Sequence, residues 1–147
     1  MRSQAENGDY EFGELVGLHI TWIVLKGLVE IHFGELDRNL LIQIESPFQI
    51  SGREGEQVTI RYQPWFADPP TGLDRLAELH NATVRAAVAH VDELQLDLST
   101  QHGEQVTLRV PPDPQYEAWH FTGPHGVFVS TPGGSSGRDD PSDFRAR

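Results

Sequence analysis

From Glu14 onward apolar and polar residues alternate with a period of two, as strands with one buried face require. Leu18, Ile20, Trp22 and Val24 alternate with His19 and Thr21, and Ile23 breaks the rule. Val29, Ile31 and Phe33 alternate with Glu30 and His32. Lys26-Gly27 between the two runs suits a two-residue hairpin turn, because glycine tolerates positive φ. That register sets Trp22 opposite Ile31 and Thr21 opposite His32. It gives the hairpin an apolar face of Ile20, Trp22, Val24, Val29, Ile31 and Phe33, and a polar face of His19, Thr21, Glu30 and His32.

The same period continues downstream. Gly34–Arg38 reads as a turn, after which Leu40, Ile42 and Ile44 face inward. Ser46-Pro47 marks an edge or corner, since proline removes a ladder donor, and Phe48-Gln49-Ile50 resumes the strand. A turn at Ser51–Gly55 leads to Val58, Ile60 and Tyr62 on one face. Residues 63–70, with Pro64, Pro69 and Pro70, interrupt the pattern. Thr71 followed by Asp74 has the spacing of a capping box, and Leu73, Leu76, Ala77 and Leu79 share one helical face, predicting a short helix near 72–81. Alternation returns in Val84, Ala86 and Val88, then Leu94, Leu96 and Leu98, then Val106, Leu108 and Val110, with turns at Val91-Asp92 and Gln101–Gly103. Pro111-Pro112-Asp113-Pro114 is a corner, and Gly123-Pro124-His125-Gly126 is a tight turn between Phe121 and Val127. The expected fold is α+β: mainly antiparallel sheet of about seven or eight strands with one short helix, a pattern compatible with curvature into a half-barrel. Residues 10–134 form the expected domain, and composition reads 1–9 and 135–147 as disordered ends.

Gly55-Glu56-Gln57-Val58-Thr59-Ile60-Arg61 recurs as Gly103-Glu104-Gln105-Val106-Thr107-Leu108-Arg109. Two related β-meanders flanking the helix would produce this, and so would chance convergence on a good turn-plus-strand heptapeptide. The final stretch, Tyr116-Glu117-Ala118-Trp119, Gly123-Pro124, Gly126 and Val129–Gly134, together with Leu15–Leu18 and Ile44–Phe48, resembles a family of small actinobacterial proteins catalogued only as a domain of unknown function. The resemblance spans roughly residues 13–134. It implies a short final strand after Gly134, where this chain instead continues into Ser, Gly and Asp. It brings no catalytic residues. Similar small proteins sit among bacterial toxin and immunity genes, which implies a binding role.

A length of 147 residues corresponds to one domain able to bury a sizeable core without disulfide or structural metal. The absence of cysteine excludes disulfides and thiolate metal sites. No apolar run approaches the ~18 residues needed to span a bilayer, and the opening residues lack the apolar core of a signal peptide. A cytoplasmic location is expected. The formal charge is -11, and residues 10–131 alone hold seven Lys or Arg against seventeen Asp or Glu. The acidity belongs to the domain and not to its tails. Such a field repels nucleic acid and anionic membrane and steers basic partners; it also serves simple solubility.

Candidate chemistry is sparse. His19, Glu30 and His32 on one sheet face could supply three ligands to a metal with an open position, or be ordinary surface residues. Glu117 and His120 would pair on a helical turn and point apart on a strand. Thr131-Pro132-Gly133-Gly134 lacks the lysine and following helix of a phosphate loop, and no cofactor motif is present. Trp65 and Phe66 lie in the proline-rich break with Asp68 nearby; with Asp92 and Glu93 of the later turn they are candidate partner contacts. The preferred function is a non-enzymatic protein-binding module of immunity or inhibitor type, acting on a basic protein such as a toxin or enzyme. A small His/carboxylate hydrolase, metal-assisted or not, and a homo-oligomeric structural subunit are the alternatives.

Overall fold

The structure is a computed structural model that describes residues 2–4, 9–35, 39–62, 69–90, 93–113, 117–124, 126–130 and 136–138. The strands run in chain order as β1 (Arg2–Gln4), β2 (Tyr10–Phe12), β3 (Ile20–Leu25), β4 (Val29–Phe33), β5 (Leu40–Ile44), β6 (Phe48–Gly52) and β7 (Gln57–Ile60), then helix α1 (Leu73–Ala77), then β8 (Thr83–His90), β9 (Glu93–Ser99), β10 (Gln105–Val110), β11 (Trp119–Gly123), β12 (Gly126–Ser130) and β13 (Ser136–Arg138). They form two open antiparallel sheets. One has seven strands in the order β1-β2-β8-β9-β10-β6-β7, and the other six in the order β13-β12-β11-β5-β4-β3. The sheet-dominated α+β class is as the alternation predicts, with thirteen strands described in place of seven or eight. β1 and β13 lie inside the terminal segments whose composition suggests disorder, and β13 pairs with β12 as a final edge strand.

The inner faces enclose one core. Ile31, Phe33, Ile42 and Ile44 of the six-stranded sheet meet Phe48, Ile50, Leu94, Leu96, Leu98 and Leu108 of the other. Each of these residues contributes about 1.5–3 kcal/mol by leaving water. Phe12 in β2 bridges the layers: its ring stands edge-on to Trp119 with centroids 6.2 Å apart and lies 4.9 Å from Phe121. The chain changes sheets at the expected proline corners, between β5 and β6 through Ser46-Pro47 and between β10 and β11 after Pro111. The sheets are also joined at one corner, where Gly17 and Ile20 donate backbone hydrogen bonds to Val84 and Ala82 at 2.8 Å each. Among the described residues the two sheets do not close into a barrel.

Two bulges correct the expected phase. In the β3–β4 hairpin Leu25 pairs with Val29, so the turn holds three residues, Lys26-Gly27-Leu28, and not two. That single residue moves Trp22 opposite His32 and Ile23 opposite Ile31. A register shift at Thr21 restores the expected Ile20–Phe33 pair. Between the two shifts every side chain is reversed, as a one-residue slip requires. Ile23 therefore packs on the core while Trp22 faces solvent. In β8 a second shift lies between Val84 and Ala86. Val84, Ala87 and Ala89 are buried there, in place of the expected Val84, Ala86 and Val88.

The helix has one turn fewer than predicted, and Thr71 does not cap it. Its hydroxyl donates to the Thr59 carbonyl at 3.0 Å. The N-cap is Gly72, at φ 75° and without a side-chain cap. Glycine is needed there because a Cβ would stand 2.6 Å from Ile60 Cδ1 and 2.8 Å from the Thr59 carbonyl oxygen. Leu76 and Leu79 are buried, as the helical face predicts.

Candidate functional site

β3 is the terminal strand of its sheet. Its first residue is covered on the outer side, where Asn81 donates to the Ile20 carbonyl at 2.9 Å. From the bulge at Thr21 to Leu25 no further strand follows among the described residues. The large apolar side chains that stand exposed among the described residues are Val16, Trp22 and Leu25, all in or just before this strand, and Trp22 is 50% accessible. Trp119, by contrast, is fully buried. At the start of the edge, Leu18, His19, Thr21, Gly34, Glu35 and Asn81 line an open depression of about 510 Å³. Its backbone is unusual: Gly34 and Asn81 have φ of 68° and 67°.

Behind Trp22 the outer face of the six-stranded sheet carries a polar row. The register aligns Val24, Glu30, Gln43 and His120 across β3, β4, β5 and β11. Glu30 is only 6% accessible. Gln43 Nε2 donates to its Oε2 at 2.8 Å, His32 Nε2 lies 3.2 Å from its Oε1, and Lys26 Nζ is 3.5 Å away. Burial alone would raise its pKa, but the hydrogen bonds from Gln43 and His32 and the charge of Lys26 outweigh it and hold the carboxyl below its ordinary value. Further along the row, His120 Nε2 lies 3.1 Å from Glu45 Oε2 and 3.2 Å from Glu117 Oε1. His120 is 8% accessible, and its Nδ1 has no hydrogen-bond partner.

The candidate residues are distributed unevenly over this frame. Trp65, Phe66, Asp68 and Asp92 lie outside the described residues. Glu93 is on the outer face of the other sheet, 3.9 Å from Arg109 Nε. Glu30 and His32 come together as neighbours, but His19 does not join them. It pairs instead with Thr83 through Nδ1 and Oγ1 at 3.0 Å, at the corner where the sheets meet. Among the described residues no three His, Asp or Glu side chains are placed to hold a metal ion. Glu117 and His120 do meet, without a helix: Trp119 opens β11, and Glu117 approaches from the irregular segment before it. Their third member, Glu45, is distant in sequence and reaches them because Glu45 N donates to the Ala118 carbonyl at 2.8 Å.

The repeated heptapeptides prove to build one charge cluster. Gly52 N donates to Glu56 O and Gly55 N to Gly52 O; Thr100 N donates to Glu104 O and Gly103 N to Thr100 O, the same turn twice. Gly55 and Gly103 have φ of 88° and 85°. β7 and β10 then run in the same direction on either side of β6, which brings Glu56 and Glu104 to one end of the sheet. There they converge on Arg75 of α1, whose Nη1 and Nη2 donate to Glu104 at 3.0 and 2.8 Å, with Glu56 at 3.7 Å and Glu78 at 3.0 Å. The bidentate bond to Glu104 is the main cause holding the Arg75 guanidinium above its ordinary pKa, and the same bond lowers that of Glu104. This cluster fastens the helix to the sheet and presents no open chemistry.

No helix among the described residues is long and apolar enough to cross a membrane. No curated protein matches the chain, and no solved structure does. A family model does match, over residues 13–136, close to the span that the motifs suggest. The chain belongs to DUF6188, a family of unknown function.

Proposed function

We propose that the protein is a non-enzymatic binding module of immunity or inhibitor type that captures a basic protein, and that the open edge of β3 is where it docks. The observation that carries this is Trp22, half-exposed at the centre of the free edge. The register shift between Ile20 and Trp22 turns it outward while Ile20 stays in the core. The free segment Thr21–Leu25 spans roughly 17 Å, enough for an extended segment of the partner to add as a further strand. Trp22 would lie under a guanidinium or ammonium group of that segment, and the depression with Glu35 would take a second basic side chain. The domain charge steers such a partner toward it.

A second copy of the chain fits the same edge less well, since two strongly acidic domains would be brought together. The His120 cluster supports the hydrolase reading only by its geometry, in which two carboxylates orient one imidazole.

The test is affinity capture from the native cell extract with wild-type and Trp22→Ala proteins, at low salt and at about 0.5 M salt, where screening is strong. A basic protein retained by the wild type, weakened by salt and lost from Trp22→Ala is the expected result. A partner held equally by both proteins, or capture insensitive to salt, overturns the reading. A concentration-dependent dimer mass on size exclusion, abolished by Trp22→Ala, would assign the edge to self-association instead.

A further inference from the structure

The opposite outer face, on the seven-stranded sheet, has a different chemistry that the proposal above does not use. Arg53, Arg85 and Arg109 line a shallow depression of about 600 Å³ there, over a floor of Gln95, Asp97 and Thr107. The register builds it: Asp97, Thr107 and Ser51 form one cross-strand row, and Gln95, Arg109 and Gln49 the next. Arg85 stands at the β8 bulge, beside the Ala86–Asp97 pair. Bulges re-aim side chains, and this one sets a guanidinium at the rim of the polar floor.

In a domain with seventeen acidic residues, a surface arginine readily finds a carboxylate. Arg75 has three. Yet among the described residues Arg53 and Arg85 have no ion-pair partner, and Arg109 approaches one carboxylate only at 3.9 Å. Three cations left this open around one depression are free to receive an anion. The floor adds a second demand. Gln95 Nε2 and Thr107 Oγ1 both donate to Asp97 Oδ1, at 3.2 and 3.1 Å, which fixes the carboxylate and leaves Oδ2 to accept from a ligand. A bare anion would be repelled by Asp97, whereas a molecule carrying both an anionic group and hydroxyls would satisfy the arginines and the carboxylate together. The volume falls within the ~300–1,000 Å³ typical of small-molecule sites. Among the described residues no aromatic side chain lines the depression, so none of them provides for base stacking.

We propose that this face binds a small anionic polyhydroxy compound, a sugar acid or sugar phosphate, with Arg85 and Arg109 on the anion and Asp97 on a hydroxyl pair. Titration calorimetry with glucuronate, glucose 6-phosphate, glucose and inorganic phosphate tests it, and comparison of the first two tells carboxylate from phosphate. Saturable binding of one or both anionic sugars is expected, with glucose and inorganic phosphate at least about tenfold weaker. Arg85→Gln and Arg109→Gln should each weaken the sugar anion by about tenfold or more. Asp97→Asn should weaken it as well, while leaving inorganic phosphate unchanged or tighter. Thermal melting of each variant controls for folding. No saturable binding of either anionic sugar up to about 10 mM, equal binding by the Arg85→Gln/Arg109→Gln double variant, or inorganic phosphate bound as tightly as glucose 6-phosphate overturns the proposal.

Discussion

On the six-stranded sheet the outer charges close on one another: Glu30 is held by Gln43, His32 and Lys26, and Glu45 and Glu117 share His120. What that side leaves open is apolar, a tryptophan and a strand edge. The seven-stranded sheet reverses the arrangement. The depression on its outer face is lined mostly by polar side chains, and what it leaves open is charge, in Arg53, Arg85 and Arg109. The difference teaches that net charge is a poor guide to local chemistry. A domain that is acidic as a whole engages acids on one face, and on the other displays two arginines without an ion-pair partner among the described residues and a third held by one carboxylate at 3.9 Å. Both arrangements depend on a bulge, at Thr21 in one sheet and beside Arg85 in the other.

The strongest way to break the comparison is to separate the layers. Phe12→Ala removes a fully buried ring that touches Trp119 and Phe121 across the interface. It should cost about 3–5 kcal/mol in urea unfolding and erase both outer faces together. Retention of one face's binding after that loss would mean that the sheets are independent. Arg75→Met acts on the seven-stranded side alone. It should cost about 1–2 kcal/mol, since the carboxylates it pairs are partly solvated, and leave β3 unaffected in hydrogen exchange.

A smaller effect separates the sheets by pH. Glu30 has its folded pKa below that of an ordinary glutamate, so its contribution is complete above the ordinary value and is lost as pH falls through the folded pKa. Glu30→Gln should therefore flatten the acid limb of the stability curve below about pH 4.5, with little change near neutrality in that slope. An unchanged acid limb would show that the polar row contributes nothing there. The smallest effect is expected from Trp22→Ser, within about 0.5 kcal/mol of wild type in thermal unfolding, because the side chain rests half in water. A loss near that of Phe12→Ala would place Trp22 in the core and remove the open edge.

The inward faces of β4, β5, β9 and β10 are legible in the chain, because unbroken alternation of Val, Ile, Leu and Phe leaves one choice of buried side. Both phase errors arise where alternation alone has no information. Ile23 out of step and the run Val84–Val88 are compatible with a straight strand or with one carrying an extra residue, and the choice depends on partners far along the chain. Trp22 was for that reason expected inside. The Glu117–His120 pair is readable, but its third member, Glu45, is supplied by the pairing of β5 with β11, which no local pattern encodes. The heptapeptide repeat held a signal for the Arg75 cluster, since identical turns place identical glutamates. Its convergence on Arg75 required knowing that β6 lies between the copies.

The strand order has a consequence for how the molecule comes into being. Helix α1 stands between seven earlier strands and six later ones, and three seams, β2–β8, β6–β10 and β5–β11, stitch the early part to the late part. Neither sheet can be completed from one side of the helix. A chain emerging from the ribosome therefore holds Leu41, Ile42 and Ile44 without their β11 neighbour until Trp119–Gly123 has been synthesised. Long-range closures of this kind slow folding, and the nascent edges meanwhile invite pairing with other chains. A truncation before Trp119 would therefore strip β11 from the middle of a sheet and not from its margin.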